Sequence, residues 1–404
     1  MTGSLLLRNA RLLDPLSGEY SEGDLRCSDG RIVEVGPGLA AADVPELDVR
    51  GAVVLPGLVD AHVHVTASTA DLGSLSSSSP FYEAAHAART MSRMLDRGFT
   101  TVRDASGADY GLADAQAEGL FRGPRLLFCG RALSQTGGHG DSRTRGTHAK
   151  DDHPCCAGLG RVADGVDAVR AAARDELRKG AHHIKVMASG GVASPTDRID
   201  STQYSADELS AIVEEATAAN RYVAAHAYTA RAVNRALELG VRSIEHGNLL
   251  DDRSVSLFLS QEAYLVPTLV TYWALKEEGR EHGLPESSWR KVDEVLGAGM
   301  AALERAARGG VKLVYGTDLL GGMHRHQNHE FRLRGEVQTP LEVIRSATST
   351  AADLLNLSGE IGTLAVGAHA DLLVVDGDPL DDLGVLAEPK HFRHIVQGGE
   401  VVAG

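Results

Sequence analysis

Aromatic residues are scarce in this 404-residue chain: they make up 4% of it, whereas hydrophobic residues together make up 43%. A large core can form, but alanine, valine and leucine must supply most of it. The sequence has no run of 18 or more apolar residues, which argues against a membrane-spanning helix. Its first residues lack a basic segment followed by a long apolar one, so we expect no signal peptide.

Cysteine and positive charge are also limited. The four cysteines are Cys27, Cys129, Cys155 and Cys156, and no two have the CxxC spacing. We therefore expect free thiols, the adjacent Cys155 and Cys156 in a loop, and a cytoplasmic protein. The net charge is −15 and no basic run is present, which argues against nucleic acid and anionic membranes as partners. The expected partners are a small-molecule substrate and further copies of the same chain in a homo-oligomer.

The two ends of the chain differ in pattern from its middle. Both ends contain short apolar runs separated by turns, and Asp29-Gly30 is a hairpin-turn signal. We expect residues 1–56 and 360–404 to pair into a small β-sandwich domain. Residues 57–359 are expected to form a separate and larger domain.

The middle of the chain alternates apolar strands with segments rich in Ala, Glu and Arg, such as 164–179, 206–219 and 286–307. Eight strands with intervening helices indicate a (β/α)8 TIM barrel, an α/β fold. Such barrels place their active sites at the C-terminal ends of the strands. The predicted strands span residues 58–65, 99–105, 125–131, 182–188, 222–228, 241–246, 263–268 and 312–318.

The most informative local pattern is His62-Val63-His64 at the end of the first predicted strand. Alternate residues of a strand share a face, so the two imidazoles point the same way and form a natural metal-binding pair. Taken alone, the pattern also fits two exposed histidines on a surface strand. His226, His246 and Asp318 are further candidate ligands near the ends of later strands, and they favour the metal site.

Lys185 stands out because lysine is the rarer base here, with seven residues among 40 lysines and arginines. It lies in an apolar strand and shares a face with His183 and Met187. Taken alone, it fits a partly buried lysine paired with an acid. Beside metal cations its ammonium would be repelled and desolvated, which lowers its pKa. A neutral amine can combine with CO2 to give a carbamate, an anionic ligand able to bridge two metals.

Six short motifs, in this order, resemble the amidohydrolase superfamily, and more narrowly its prolidase-like and imidazolonepropionase-like branch with a binuclear metal centre. The resemblance covers essentially the whole chain, and residues 367–379 (GAHADLLVVDGDP) resemble the family's return strand. The motifs are residues 56–64 (PGLVDAHVH), 135–141 (QTGGHGD), 184–191 (IKVMASGG), 225–228 (AHAY), 244–247 (IEHG) and 316–321 (GTDLLG).

The resemblance implies two divalent metal ions, zinc in the first place and manganese or cobalt as alternatives. A bridging hydroxide would be the nucleophile, and Asp318 would accept its proton and pass it to the leaving group. The implied ligands are His62, His64, Lys185 in its carbamylated form, His226, His246 and Asp318.

Two further residues are candidates for substrate contact. His139 lies in a glycine-rich loop and could donate to the tetrahedral oxyanion, or it could be a structural loop histidine. Tyr228 follows His226 on the same strand face, so its hydroxyl could bind a substrate carboxylate together with a nearby arginine, or it could be an ordinary tyrosine at the barrel mouth.

A second histidine group, His324, His326 and His329, also fits a second metal site, but we favour a role in supporting the ligands, in a substrate loop or on the surface. Substrate specificity is expected to depend on the loops at residues 68–82, 139–160, 271–285 and 320–330.

The resemblance implies hydrolysis of the amide or peptide bond of a dipeptide-like or N-acyl amino acid substrate with a free carboxylate. Prolidase-like dipeptidases, carboxypeptidases and ochratoxin-type amidases are members that act in this way. An alternative is hydrolysis of a carbamate, urea or cyclic amide such as an imidazolone. A third is a non-catalytic scaffold of the dihydropyrimidinase-like kind, which is disfavoured because every ligand position is filled.

Overall fold

The computed structural model describes residues 3–41, 43–147, 158–194 and 196–404. Cys155 and Cys156 lie outside the described residues, whereas Cys27 and Cys129 are buried free thiols. Among the described residues, no helix combines the length and apolar character that crossing a membrane requires.

Strands occur along the whole described chain. They are β1 (Leu5–Leu13), β2 (Tyr20–Ser28), β3 (Arg31–Gly36), β4 (Glu46–Asp48), β5 (Val53–Pro56), β6 (Leu58–Val63), β7 (Phe99–Asp104), β8 (Arg125–Leu127), β9 (Ala132–Ser134), β10 (Gly160–Val162), β11 (Ile184–Met187), β12 (Val223–Thr229), β13 (Ser243–Leu249), β14 (Tyr264–Val266), β15 (Lys312–Leu313), β16 (Leu372–Val375), β17 (Phe392–Gln397) and β18 (Glu400–Ala403).

Helices are concentrated between the central strands. They are α1 (Pro80–Asp96), α2 (Tyr110–Ala117), α3 (Val166–Arg178), α4 (Ala206–Ala218), α5 (Ala230–Glu238), α6 (Asp252–Ser260), α7 (Leu269–Glu278), α8 (Glu286–Arg308), α9 (His329–Gly335), α10 (Pro340–Ser346), α11 (Ser349–Leu354) and α12 (Gly384–Ala387).

The chain divides into two compact units. One unit contains Met1–Asp60, Ser92–Thr101 and Asn328–Gly404, and the other contains Ala61–Met91 and Val102–Gln327. The division into residues 1–56 with 360–404 and 57–359 stays a prediction.

Strands from both chain ends form one eight-stranded sheet in the first unit. Its order is β18-β17-β16-β5-β1-β2-β3, with β4 beside β1. The β2–β3 hairpin turns at Asp29-Gly30 as predicted, with φ of 50° and 73°, the positive values that a tight hairpin turn requires. Alternate residues of β1 and β16, such as Leu5 and Leu7, or Leu372 and Val374, are buried in one hydrophobic cluster, so the period of two defines the core face of this sheet.

The second unit has an α/β fold with a parallel sheet. Its ladder runs β10-β9-β11-β12-β13-β14-β15, and each neighbouring pair is parallel. The predicted helices at 164–179, 206–219 and 286–307 are confirmed as α3, α4 and α8. Capping explains why α4 begins where it does, because the Ser205 side chain accepts from the Glu208 amide while the Glu208 carboxylate accepts from Ser205.

Two predicted strands differ from the observed ones. The prediction at 125–131 was wrong in its extent. β8 ends at Leu127 and belongs to a three-stranded sheet, β6-β7-β8, whereas a separate β9 pairs with β11 in the seven-stranded sheet. The prediction at 312–318 was too long. β15 ends at Leu313, and Asp318 adopts a φ of 53°, which is incompatible with an extended strand.

Candidate active site

His62, at the end of β6, is buried and held from behind by an ionised carboxylate. Its Nδ1 donates to Glu245 Oε2 at 2.6 Å. Glu245 in turn accepts from Arg103 Nη2 at 2.8 and 2.9 Å and from Ser243 Oγ at 2.6 Å. Burial alone would raise the pKa of Glu245, but Arg103, His62 and Lys185 together outweigh it and hold that pKa well below the usual range. The His62 Nδ1 proton is thereby fixed, which leaves the lone pair of Nε2 available.

The other three predicted histidine ligands also have one ring nitrogen engaged by an oxygen atom of the protein. Burial holds the pKa of His226 and His246 well below the usual value, so both rings favour the neutral form that binds metal. The three contacts are His64 Nδ1 to Ser106 O at 2.9 Å, His226 Nε2 to Gly190 O at 3.1 Å, and His246 Nδ1 to Thr268 Oγ1 at 2.8 Å.

The remaining nitrogens of His62, His64 and His246 converge on Asp318. His64 Nε2 and His62 Nε2 lie 3.1 and 3.4 Å from Asp318 Oδ1, and His62, His246 and Asp318 offer ligand atoms within 4.8 Å of one another. Burial would raise the pKa of Asp318, but the two histidines outweigh it and hold that pKa well below its usual range. Lone pairs that converge in this way require a proton or a cation between them, so the donor set fits a divalent metal.

Unusual backbone conformations place two of these residues. His246 has a φ of 76° and Asp318 a φ of 53°, in the left-handed region that side chains rarely adopt. The turn at His246 lets both Glu245 and His246 contact the site, although strict alternation would put neighbours on opposite faces. Asp318 is held by its own amide, which donates to His62 O at 2.8 Å. Strain of this kind clusters at functional sites.

Lys185 lies within β11 and is buried to 2% exposure. Burial lowers the pKa of its ammonium, although the negative charges of Glu245 and Asp318 act in the opposite direction. A lowered pKa brings the side chain closer to the neutral amine that carbamate formation requires.

His139 and Tyr228 lie beside His226, one of the predicted ligands. The His139 ring stacks on His226 with centroids 4.2 Å apart and an interplanar angle of 20°. The Tyr228 ring lies 4.8 Å from His226, and its hydroxyl accepts from Tyr272 at 3.2 Å. Burial raises the pKa of Tyr228 far above its usual value, so the phenol stays protonated and can donate a hydrogen bond.

All eight predicted site residues line one cavity, together with side chains that are mostly apolar. No arginine is found among the described residues of this lining, so the nearby arginine that we expected beside Tyr228 is not among them. The predicted specificity loops contribute residues from each of their four ranges, whereas residues 192–194 come from a loop that the sequence did not single out. The apolar lining side chains are Leu72, Leu159, Met187, Val192, Ala193, Leu275 and Leu320.

The second histidine group does not assemble a metal site among the described residues. His326 Nε2 contacts Glu278 Oε1 at 2.9 Å and its ring packs edge-on against Trp273. His324 is buried within a short 3-10 helix, and His329 begins α9.

Sequence reasoning missed the residues that hold the site from behind. Arg103 and Glu245 are fully buried, and the available signal was a charged residue inside each of two apolar strands. Glu245 was quoted within the 244–247 motif but was given no role. Ser106 and Thr268 carry no signal of this kind, because a carbonyl and a hydroxyl in a loop can be identified only from the fold.

Similarity to known proteins identifies the family of this chain. Residues 53–402 match the model of the amidohydrolase family. This chain belongs to the amidohydrolase family. The ochratoxinase of Aspergillus niger is 33% identical to this chain, and the match covers 98% of this chain and 86% of the ochratoxinase.

Two solved structures are similar to this chain over nearly its full length. A prolidase complexed with N-methylphosphonate-L-proline is 48% identical, with a TM-score of 0.96 over 99% of both chains. A Xaa-Pro dipeptidase with bound methionine in its active site is 28% identical, with a TM-score of 0.88 over 99% of this chain and 100% of that one.

Proposed function

We propose that this protein is a binuclear metal-dependent hydrolase that cleaves the C–N bond of a dipeptide-like or N-acyl amino acid substrate with a free carboxylate. The observation that carries the proposal is the convergence of His62, His64, His246 and Asp318, with the second nitrogen of each ring already engaged. Relatives named prolidase, Xaa-Pro dipeptidase and ochratoxinase support an amide bond as the target.

The proposed scaffold is a closed (β/α)8 barrel. Backbone hydrogen bonds beyond the strand ladder support closure, because Ala61 N donates to Tyr315 O at 2.9 Å and Asp318 N to His62 O at 2.8 Å. These bonds join the end of β6 to the segment after β15. A closed barrel would bring the C-terminal ends of its strands, and thus the candidate ligands, to one face.

The residues that would hold the two metal ions are the six predicted ligands, with zinc as the first candidate and manganese or cobalt as alternatives. When bound, such ions activate water and polarise the scissile carbonyl. In the proposed carbamylation, the neutral Lys185 nitrogen attacks the carbon of CO2 and loses a proton, which leaves one negative charge shared by two oxygens. The six residues are His62, His64, Lys185, His226, His246 and Asp318.

Asp318 is proposed to move the proton. Its side chain keeps 20% of its surface exposed, so one face is accessible from the cavity while the other contacts histidines. A carboxylate held ionised by its neighbours can accept a proton from the attacking water and deliver it to the leaving nitrogen. His139, stacked beside His226, is proposed to stabilise the negative oxygen of the tetrahedral intermediate.

The cavity lining supports a substrate with apolar or neutral side chains. Among its described residues, Lys185 and Asp318 are the charged members apart from the histidines, and both belong to the proposed metal site. A charged substrate side chain would find no described counter-ion there. The substrate carboxylate is proposed to be bound without a described cation, by a hydrogen bond from the Tyr228 phenol, which burial keeps protonated.

The test is hydrolysis by the zinc-loaded protein of five compounds: an Xaa-Pro dipeptide with an apolar first residue, an N-acyl proline, the C-terminal amide of each, and a neutral carbamate. We expect release of free amino acid from the carboxylates and much slower turnover of the amides. Faster turnover of the carbamate would instead favour the alternative function, and no turnover of any C–N bond would contradict both.

Tyr228→Phe provides a residue-level prediction. The variant keeps the ring and deletes one hydrogen bond, so about 1.5–3 kcal/mol of binding to a charged carboxylate should be lost, which corresponds to roughly 10- to 150-fold in kcat/KM. Steady-state kinetics should show this loss for the free carboxylate and almost none for the matching amide. Equal losses on both substrates would mean that Tyr228 does not contact the carboxylate.

A further inference from the structure

A second polar cluster lies behind His139. Its centre is the carboxylate of Asp197, which is 2% exposed and therefore needs partners. Gln203 Nε2 and the Gly191 amide donate to Asp197 Oδ2 at 3.0 and 3.1 Å, and the Ser194 hydroxyl donates to Oδ1. His139 Nδ1 lies 3.1 Å from Ser194 Oγ and 3.4 Å from Asp197 Oδ2. One nitrogen of His139 is therefore held by this cluster.

Lys291 of α8 binds the backbone of the segment that contains Gly191, Ser194 and Asp197. Its Nζ donates to three backbone carbonyls, those of Gly191 at 3.1 Å, Ser194 at 3.0 Å and Asp197 at 2.9 Å. An ammonium has three N–H bonds and no acceptor, so this loop can use all three donors. Nζ also lies 3.6 Å from Asp197 Oδ1, which adds compensation for the buried negative charge.

The segment fastened in this way contacts both His139 and the cavity. A Cβ at Gly191 would collide with the His139 ring, so glycine is needed for the ring to lie against the backbone. On its other face the ring stacks on His226. Val192 and Ser194 line the cavity. The ring is thus held on both faces and at Nδ1, which leaves Nε2 as the nitrogen available to a substrate.

We propose that Asp197, Ser194 and Lys291 are positioning residues that hold His139 in the orientation needed to act on the oxyanion. This inference rests on the proposed function. Asp197 and Ser194 hold the Nδ1 proton, and Lys291 keeps their backbone in place. The carboxylate also compensates the charge of an imidazolium, the form of the ring with a proton on both nitrogens.

The first test is a double-mutant cycle with His139→Gln and Asp197→Asn in the zinc-loaded protein. Asp197→Asn should lower kcat about 10-fold or more, with a smaller change in KM, because the contact between His139 and the oxyanion is made in the transition state. Bound zinc should be unchanged. In the His139→Gln background the same change should have almost no further effect on kcat. If the two single-variant losses in kcat multiply in the double variant, the two residues act independently and the proposal is overturned.

Two other variants keep the test decisive. Ser194→Ala removes only the hydroxyl between His139 and Asp197, so it should give a smaller loss that also disappears in the His139→Gln background, even if Asp197→Asn fails to fold. The matched control is Asp293→Asn, also on α8. Asp293 is 59% exposed and pairs with Lys276, so wild-type kinetics are expected. A loss in this control equal to that of Asp197→Asn would overturn the proposal.

A readout without turnover separates this inference from the proposed function. In 15N-histidine NMR spectra of the zinc-loaded protein, the His139 signal can be assigned by its loss in His139→Gln. We expect a proton on Nδ1 in the wild type, and a changed Nδ1 signal in both Asp197→Asn and Lys291→Met. This result would support the positioning role even if no C–N substrate were hydrolysed. An unprotonated Nδ1, or a signal unaffected by both variants, would overturn it.

Discussion

Asp318→Asn is expected to lower kcat by about 100-fold or more, with at most a modest change in KM for a carboxylate substrate. The amide preserves the volume of the side chain and one oxygen ligand, but it cannot accept a proton. His62 and His64 hold Asp318 ionised, so the wild-type carboxylate is ready to act as a base at neutral pH. Steady-state kinetics and metal analysis on the same preparation would separate loss of the base from loss of a metal ion.

Asp293→Asn is again the matched control, since it makes the same chemical change at an exposed carboxylate and should leave kcat unaltered. Near wild-type turnover by Asp318→Asn with its metal content intact would require another base, and the role assigned to Asp318 would be wrong.

Lys185→Ala is expected to abolish measurable turnover and to reduce the bound metal. The change removes from a buried position a residue that would help to hold the two metal ions, and the remaining residues would offer one fewer negative charge. Added short carboxylic acids should restore part of both the metal and the activity, because a free carboxylate can occupy the vacated space. Kinetics and metal analysis with and without acetate or propionate would measure this.

Two variants complete the Lys185 test. Lys179→Ala, at a surface lysine paired with Asp175, should behave as the wild type. Lys185→Arg keeps a positive charge but cannot form a carbamate. An active, metal-loaded Lys185→Arg protein would contradict carbamylation directly.

Much of the site could be predicted from the sequence because strand alternation fixes which side chains share a face. His62 with His64, and His226 with Tyr228, follow this rule, and each pair meets in the cavity. The terminal strands were predicted from short apolar runs between turns, and the hairpin from the Asp29-Gly30 turn signal. In these places local geometry is enough to specify the outcome.

Other parts could not be predicted because they depend on backbone departures or on distant segments. Glu245 contacts His62 from the strand face that it shares with Ser243. The next residue, His246, has a positive φ and also reaches the site, against the rule of alternation. Lys291 reaches the 191–197 loop from a helix about a hundred residues away in sequence. No periodic pattern encodes such a contact, so it becomes visible only when the fold brings the two segments together.

The most direct measurement of the central claim is a metal titration of chelator-treated protein, with bound zinc and hydrolysis of an Xaa-Pro dipeptide followed together. The two-metal site predicts that the treated protein is inactive and that activity rises with added zinc until about two equivalents are bound per chain. Manganese or cobalt should restore activity with the same stoichiometry. The proposed mechanism would be contradicted by full activity in protein that holds no metal, or by activity that reaches its maximum without any bound metal ion.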